Sequence, residues 1–446
     1  MNTRIDRKKL LIGTYILDKY ARTEEHVKQL KEAGIDLVVC LRDADRGILD
    51  LLDKYGIGCV LCGVVPGWWG GDGANAGTMC QVNTLDRFVD AAVKFVDHPA
   101  VWMIDIGDEP SAKDFDHIGK IVAKMEELFP RQLPYLNLYP NYASVAENSD
   151  SQALNQLGTV NYAEHIREYI EKVPLPYISY DYYVYAMGVS GLAKMYENFD
   201  VVARACRETG RDFWYIPQCN GRHETDFTSV NQMRFQAYCA LCYGAAAVNW
   251  ACWTAGWWCN FVLDSEGNKT EQYDKIRDVN RELRQLDTRY MNYRVVSTHL
   301  VDFRDVPTVR NDRELKVVDE LNCGFVRGLK ASGIGVGGSE SISENIGNGA
   351  LVVGEMVGRD DLEKHALLIL NATDFLDAQN GIDPKANSVK VSFETKGREV
   401  KVTGFTPEGE TLPEELGFAE IGEDNVARNV SFRLDNCRAA FVEIKL

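Results

Sequence analysis

The chain has 446 residues, with 49 Lys and Arg against 66 Asp and Glu, a formal net charge of −17. A surface with that balance repels phosphate backbones and anionic lipid, which argues against nucleic acid and membrane surfaces as partners. The length exceeds one small domain and suits a barrel of roughly 250 residues followed by an accessory domain.

The N-terminus superficially copies a signal peptide, with a basic start and an apolar patch from Leu10 to Leu17. The patch is short, contains Thr14 and Tyr15, and runs into Asp18 and Lys19 with no small-residue cleavage site. It reads as a first strand. No apolar run approaches the roughly 20 residues of a membrane span. The expectation is a cytoplasmic protein, or an exported one whose leader has been removed.

From Leu10 to Tyr290 apolar runs alternate with amphipathic stretches, the pattern of βα units on a parallel sheet. Strands are predicted at Leu10–Leu17, Asp36–Leu41, Cys59–Val65, Val101–Ile106, Leu133–Leu138, Tyr177–Tyr183, Phe213–Pro217 and Ala247–Trp253. The helical stretches between them include Thr23–Gly34, stopped by Gly34, then Asp45–Tyr55 and Leu85–Val96. Asp114–Leu128 carries Phe115, Ile118, Ile121, Val122 and Met125 at helical spacing, and Ala163–Lys172, Leu192–Thr209, Val230–Tyr243 and Thr270–Leu286 follow. Eight strands each followed by a helix predict an α/β fold, a (β/α)8 TIM barrel over residues 1–292.

After Asn292 the rhythm changes to short alternating strands such as Ala366–Leu370, Ser388–Phe393, Val400–Gly404, Val430–Leu434 and Ala440–Ile444. Gly, Asn, Asp and Pro turns separate them, so residues 293–446 are expected to form an antiparallel β-sandwich domain. The Gly-rich Gly333–Ser341 lacks the Lys-Ser/Thr and helix of a phosphate loop and reads as a connection between strands. The twelve cysteines include two C-x-x-C pairs, Cys59/Cys62 and Cys239/Cys242, but each lies inside regular structure rather than on a knuckle. They read as buried apolar residues, and no metal or other cofactor is expected.

In barrel enzymes chemistry sits at the C-terminal ends of the strands. Strand four, HPAVWMIDIGDEP at His98–Pro110, ends in Asp105, Asp108 and Glu109, and strand three leads to Trp68 and Trp69. Strands five and six end in Asn137, Tyr139, Asp181, Tyr182 and Tyr183. Strand seven ends in Gln218 and Asn220 with Glu224 beyond, and strand eight in Trp253, Trp257 and Trp258. Carboxylates, amides and aromatics dominate. No Ser stands in a nucleophile elbow and no Lys is placed for a Schiff base. The pattern suits a hydroxyl-rich ligand handled by acid/base chemistry.

GDEP at Gly107–Pro110 resembles the strand-four motif of the clan A retaining glycoside hydrolases, in which an Asn/Asp-Glu-Pro carries the acid/base glutamate. Val262–Leu283 is similar to their passage from strand eight to the last helix. Gln218 with Met233–Trp250 resembles bacterial barrel glycosidases that carry a C-terminal sandwich. The resemblance implies a glycosidase acting on an oligosaccharide or glycoside, with Glu109 as general acid/base and Asp108, Asp181 and Glu224 as further catalytic candidates. Trp68, Trp69, Asn137, Tyr139, Tyr182, Tyr183, Gln218, Asn220, Trp253 and Trp257 are the expected substrate contacts.

One position departs from the clan pattern. Its nucleophile is a Glu at the end of strand seven, where this chain has Gln218, and an amide cannot act as that carboxylate. Three arrangements remain open. Glu224 or Asp226 enters from the following loop as one of a carboxylate pair. Alternatively, the adjacent Asp108-Glu109 pair resembles the Asp-Glu of substrate-assisted hexosaminidases, which implies a substrate acetamide in place of the nucleophile, held here by Tyr182 and Tyr183. Or the barrel binds glycans without cleaving them.

Overall fold

The computed structural model describes residues 4–87, 90–143, 156–187, 191–301, 321–333, 350–377, 387–406, 417–421 and 427–445. Eight strands run β1 (Leu11–Tyr15), β2 (Leu37–Leu41), β3 (Gly58–Leu61), β4 (Val101–Asp108), β5 (Leu133–Asn137), β6 (Tyr177–Asp181), β7 (Asp212–Ile216) and β8 (Ala245–Trp250). They form one sheet in the order β5-β4-β3-β2-β1-β8-β7-β6. Neighbouring strands pair in parallel, and a parallel bridge between Leu138 and Tyr180 brings the two ends together. The result is the (β/α)8 barrel expected from the sequence.

The helices begin where short polar side chains cap them. Asp45 accepts from the Ile48 N–H (3.0 Å) and Asn161 from the Glu164 N–H (2.9 Å). Ser229 and Gln232 close a reciprocal capping box. Helix Phe115–Leu128 buries the five apolar residues that the spacing picked out. The helix expected at Leu85–Val96 does not form as one element. Met79–Val82 and Asp90–Val93 are single turns. Asn83 leaves helical geometry between them (φ −102°, ψ 76°), and its carbonyl accepts a hydrogen bond from His117 Nε2 (2.6 Å).

The remaining strands make two antiparallel sheets, β10-β13-β16-β15 and β14-β17-β12-β11-β9, with β9 at Tyr293–Val301, β10 at Arg327–Gly333, β11 at Leu351–Gly358 and β12 at His365–Asn371. The others are β13 (Val389–Glu394), β14 (Glu399–Gly404), β15 (Gly417–Ile421), β16 (Ala427–Leu434) and β17 (Ala439–Lys445). Val353, Ile369 and Val442 from one sheet and Val391, Phe393 and Phe432 from the other share one core, the expected sandwich. The Gly-rich run from Gly333 continues into residues outside those described.

By compactness the chain divides into Met1–Ala186, Lys194–Phe227 and Ala246–Asp274 in one unit and Met187–Ala193, Thr228–Ala245 and Lys275–Leu446 in the other. That line differs from the sequence boundary at 292, because helix Val230–Cys242 packs on β11 and β12. Glu282, on the following helix Glu271–Tyr290, accepts hydrogen bonds from both Arg234 (2.7 Å) and Arg438 (2.6 Å).

Candidate active site

Strand β4 runs two residues past the expected Ile106, because Asp108 pairs with Asn137 on β5 and bridges Trp69. Successive strand residues normally face opposite sides. Glu109 breaks that alternation by turning into the left-handed region, φ 48°. Asp108 and Glu109 consequently line the same pocket. Gly70 leaves the space for this turn, since a Cβ there would stand 1.8 Å from the Glu109 carbonyl oxygen. The turn is tied on both sides, by Asp108 N–H to the Trp68 carbonyl (3.0 Å) and Glu109 N–H to the Asn137 carbonyl (2.9 Å).

The pocket is a cavity of about 1440 Å³ at the C-terminal ends of the barrel strands. Asp105, Asp108 and Glu109 enter it from β4 and its end, and Asp181 from β6. Trp68, Trp69, Tyr183, Trp257 and Trp258 form aromatic walls. Tyr183 stands edge-on to Trp258 (4.9 Å between ring centres) and tilted against Trp257 (5.7 Å). Trp69 is 61% exposed, and its indole N–H donates to Glu109 Oε2 (2.8 Å).

The carboxylates occupy unlike surroundings. Asp181 is buried and held by donors: Asn137 Nδ2 reaches Oδ1 (2.8 Å) and the Tyr142 hydroxyl reaches Oδ2 (3.1 Å). Asn137 is itself oriented by the Ser179 hydroxyl (3.0 Å). Burial pushes Asp181 up to about 6, with those donors pulling the other way. Asp108 opens onto the pocket but is enclosed by its walls. That desolvation, with the charges of Asp181 and Asp105, pushes it up to about 7. Glu109 is held well above the usual carboxylate range by desolvation, then by Asp181 and Asp108, and the Trp69 N–H only partly opposes this.

Two expected results follow from these surroundings. The Trp69 N–H favours ionised Glu109, so Trp69→Phe raises the Glu109 pKa further. The alkaline limb of a pH–rate profile moves to higher pH. A limb that stays in place refutes this coupling. Asp108, raised from 3.8 to about 7, binds its proton more tightly in the folded chain than in the unfolded one. Its contribution to stability is present below about pH 4 and is lost as pH rises through about 7. Asp108→Asn therefore gains in melting temperature over wild type near pH 8 relative to the same comparison near pH 4. Equal differences at the two pH values count against the shift.

Of the residues expected from sequence, Trp68, Trp69, Asp108, Glu109, Asn137, Asp181, Tyr183 and Trp257 line the pocket. The structure does not bring the others to its wall. Tyr139 is buried behind it, its hydroxyl donating to the Gly71 carbonyl (2.8 Å). Tyr182 and Trp253 are fully buried, the latter edge-on to Tyr273. Buried Gln218 accepts at Oε1 from the Tyr185 and Ala186 N–H groups (3.1 and 3.2 Å) and donates through Nε2 to the Asn220 carbonyl (3.0 Å). It ties loops together rather than facing a ligand. Asn220 Nδ2 donates to the Trp257 carbonyl (2.8 Å) and so positions that wall from behind. Glu224 is exposed on the loop after β7, its carbonyl held by Asn260 Nδ2 (3.2 Å).

Sequence reasoning missed Tyr15, Tyr135, Tyr142 and Arg42, all on the pocket wall. Tyr15 is the last residue of β1 and Arg42 the first after β2, so the strand-end rule that found Glu109 also points to them. Tyr135 lies inside β5, where its hydroxyl meets that of Tyr15, and no sequence pattern marks it.

No protein-family model matches the sequence, and no curated protein matches it. Solved structures do match. A catalytic mutant of a GH42 β-galactosidase from G. stearothermophilus aligns over 100% of this chain and 99% of that chain, with 8% identity and a TM-score of 0.53. A GH51 α-L-arabinofuranosidase from Thermotoga petrophila RKU-1 aligns over 99% of each chain, with 9% identity and a TM-score of 0.44. A glycoside hydrolase family 30 subfamily 8 xylanase from Clostridium acetobutylicum aligns over 98% of this chain and 96% of that chain, with 11% identity and a TM-score of 0.41. The fold, a (β/α)8 barrel followed by antiparallel sheets, is the one this chain has in common with that β-galactosidase. On that fold the chain combines a GDEP strand-four end with a loop-tying Gln218 after strand seven.

Proposed function

We propose that the chain is a glycoside hydrolase that cleaves a glycosidic bond by carboxylate catalysis, with Glu109 as the general acid and Asp181 as its ionised partner. The observation that carries this reading is the unequal treatment of two carboxylates in one aromatic-walled pocket. Among the described residues Glu109 has one donor and is held well above its ordinary range, whereas Asp181 has donors on both oxygens that pull against its burial and is raised to about 6. Titratable groups whose surroundings push their pKa values apart mark the acid and the base of a pair. Protonated Glu109 gives its proton to the leaving oxygen. Ionised Asp181 meets the positive charge that develops on the sugar, or the attack that follows. Trp69 and Trp257 offer flat faces for sugar rings.

A glycan-binding barrel without catalysis has no use for carboxylates held at raised pKa, each of which costs folding stability at neutral pH. The test is a panel of phenyl glycosides, with and without an N-acetyl group, on wild type and Glu109→Gln. Phenol release that disappears in the variant, with the fold kept, supports the reading. No release from any member overturns it, and release confined to N-acetyl sugars assigns the partner role to the substrate instead.

A further inference from the structure

The carboxylates occupy one side of the pocket, and the side under β2 and the β3–β4 connection is different. Arg42, the first residue after β2, lines the cavity there, and so does Lys94. Arg42 is exposed to the cavity and makes no ion pair among the described residues. The nearest acidic neighbour in sequence, Asp43, pairs with Lys19 instead (3.1 Å). The Lys94 ammonium lies over the Phe95 ring (4.9 Å), with no carboxylate partner among the described residues.

The loop that carries Arg42 is pinned. Arg22 spends its whole guanidinium on three carbonyls, those of Leu17 (2.9 Å), Arg42 (2.8 Å) and Asp43 (3.0 Å). Arg42 is therefore presented from a fixed backbone. Its charge acts on Asp105 and Asp108, which places it in the electrostatic field of the pocket floor rather than of the outer surface. An unpaired guanidinium on a pinned loop is a planar fork of donors suited to a carboxylate or sulfate. The cavity, about 1440 Å³, exceeds the 300–1,000 Å³ typical of a pocket for one small ligand, leaving room for a sugar unit beyond the cleavage point.

We propose that Arg42, with Lys94 as a second cation on the cavity wall, binds the anionic group of an acidic sugar unit, a uronate carboxylate or a sulfate ester. The substrate class is then an acidic glycan rather than a neutral one. The inference rests on the glycosidase reading for the sugar and on Arg42 for the charge.

Tryptophan fluorescence titration, which needs no turnover, separates the two. The probes are matched disaccharides carrying a uronate, a sulfate or neither, each added to wild type, Arg42→Gln and Arg42→Lys, with glycoside release measured in parallel. At least one acidic probe binds wild type about tenfold more tightly than its neutral match. Arg42→Gln removes most of that ratio by weakening the acidic probe, and Arg42→Lys restores part of it. The uronate and sulfate arms identify which anion the site takes. Neutral probes that bind as well as acidic ones, an acidic preference that survives Arg42→Gln, or no binding by any probe overturns the proposal. Acidic binding that depends on Arg42 without any release keeps the site and overturns only the glycosidase reading.

Discussion

Glu109→Gln is expected to lower kcat by about 10²–10⁴, the range that a positioned proton donor contributes, with the fold kept. Gln is nearly isosteric with Glu, and its amide can still accept from the Trp69 N–H, so the turn at φ 48° need not rearrange. The loss falls hardest on poor leaving groups such as alkyl glycosides and least on 4-nitrophenyl glycosides, whose oxygen departs without a proton. The pH profile supplies a second readout. Wild type needs ionised Asp181 and protonated Glu109, so the rate rises as pH passes about 6 and falls only when Glu109 loses its elevated proton. The variant keeps the acid limb and loses the alkaline one. A variant with the wild-type rate and both limbs shows that Glu109 is not the acid.

The barrel was legible because each βα unit repeats one pattern, and its helices are locally self-consistent. Helix Phe115–Leu128 is an example, with its apolar stripe matching its buried face. The carboxylates of β4 were legible for a different reason: charges at the end of a buried strand need an explanation, and the strand-end rule supplies one. What was not legible depends on contacts made from elsewhere in the chain. Gln218 has the right position for a ligand contact, and only the Tyr185 and Ala186 N–H groups show that its amide is already engaged. Strand β11 carries Glu355 in its middle, which breaks an apolar run. Its carboxylate is satisfied by Ser297 (2.8 Å), His299 (3.0 Å) and the Asn322 N–H (3.1 Å), partners more than 30 residues away in sequence. Tyr135 gains its place on the pocket wall through Tyr15, which lies on another strand.

Asp181→Asn decides what replaces the missing strand-seven carboxylate. The substitution keeps a planar group of the same size beside Asn137 and Tyr142, and it removes the charge. If Asp181 is the ionised partner, kcat falls by about 10²–10⁴, the scale of losing one member of a catalytic pair. The same change acts on the neighbours. The Asp181 charge raises both Glu109 and Asp108, so its removal lowers both. The alkaline limb of the residual activity therefore moves to lower pH while the acid limb near 6 disappears, narrowing the bell from above and opening it below. A structural Asp181 moves the alkaline limb alone, through its charge on Glu109, and leaves the acid limb in place, so the loss of the acid limb is the deciding readout. Glu224→Gln is the contrast. Its side chain is on an exposed loop and does not line the pocket, so it keeps kcat within about twofold with both limbs in place. The reverse pattern, with Glu224→Gln inactive and Asp181→Asn active, returns the partner role to the loop after β7.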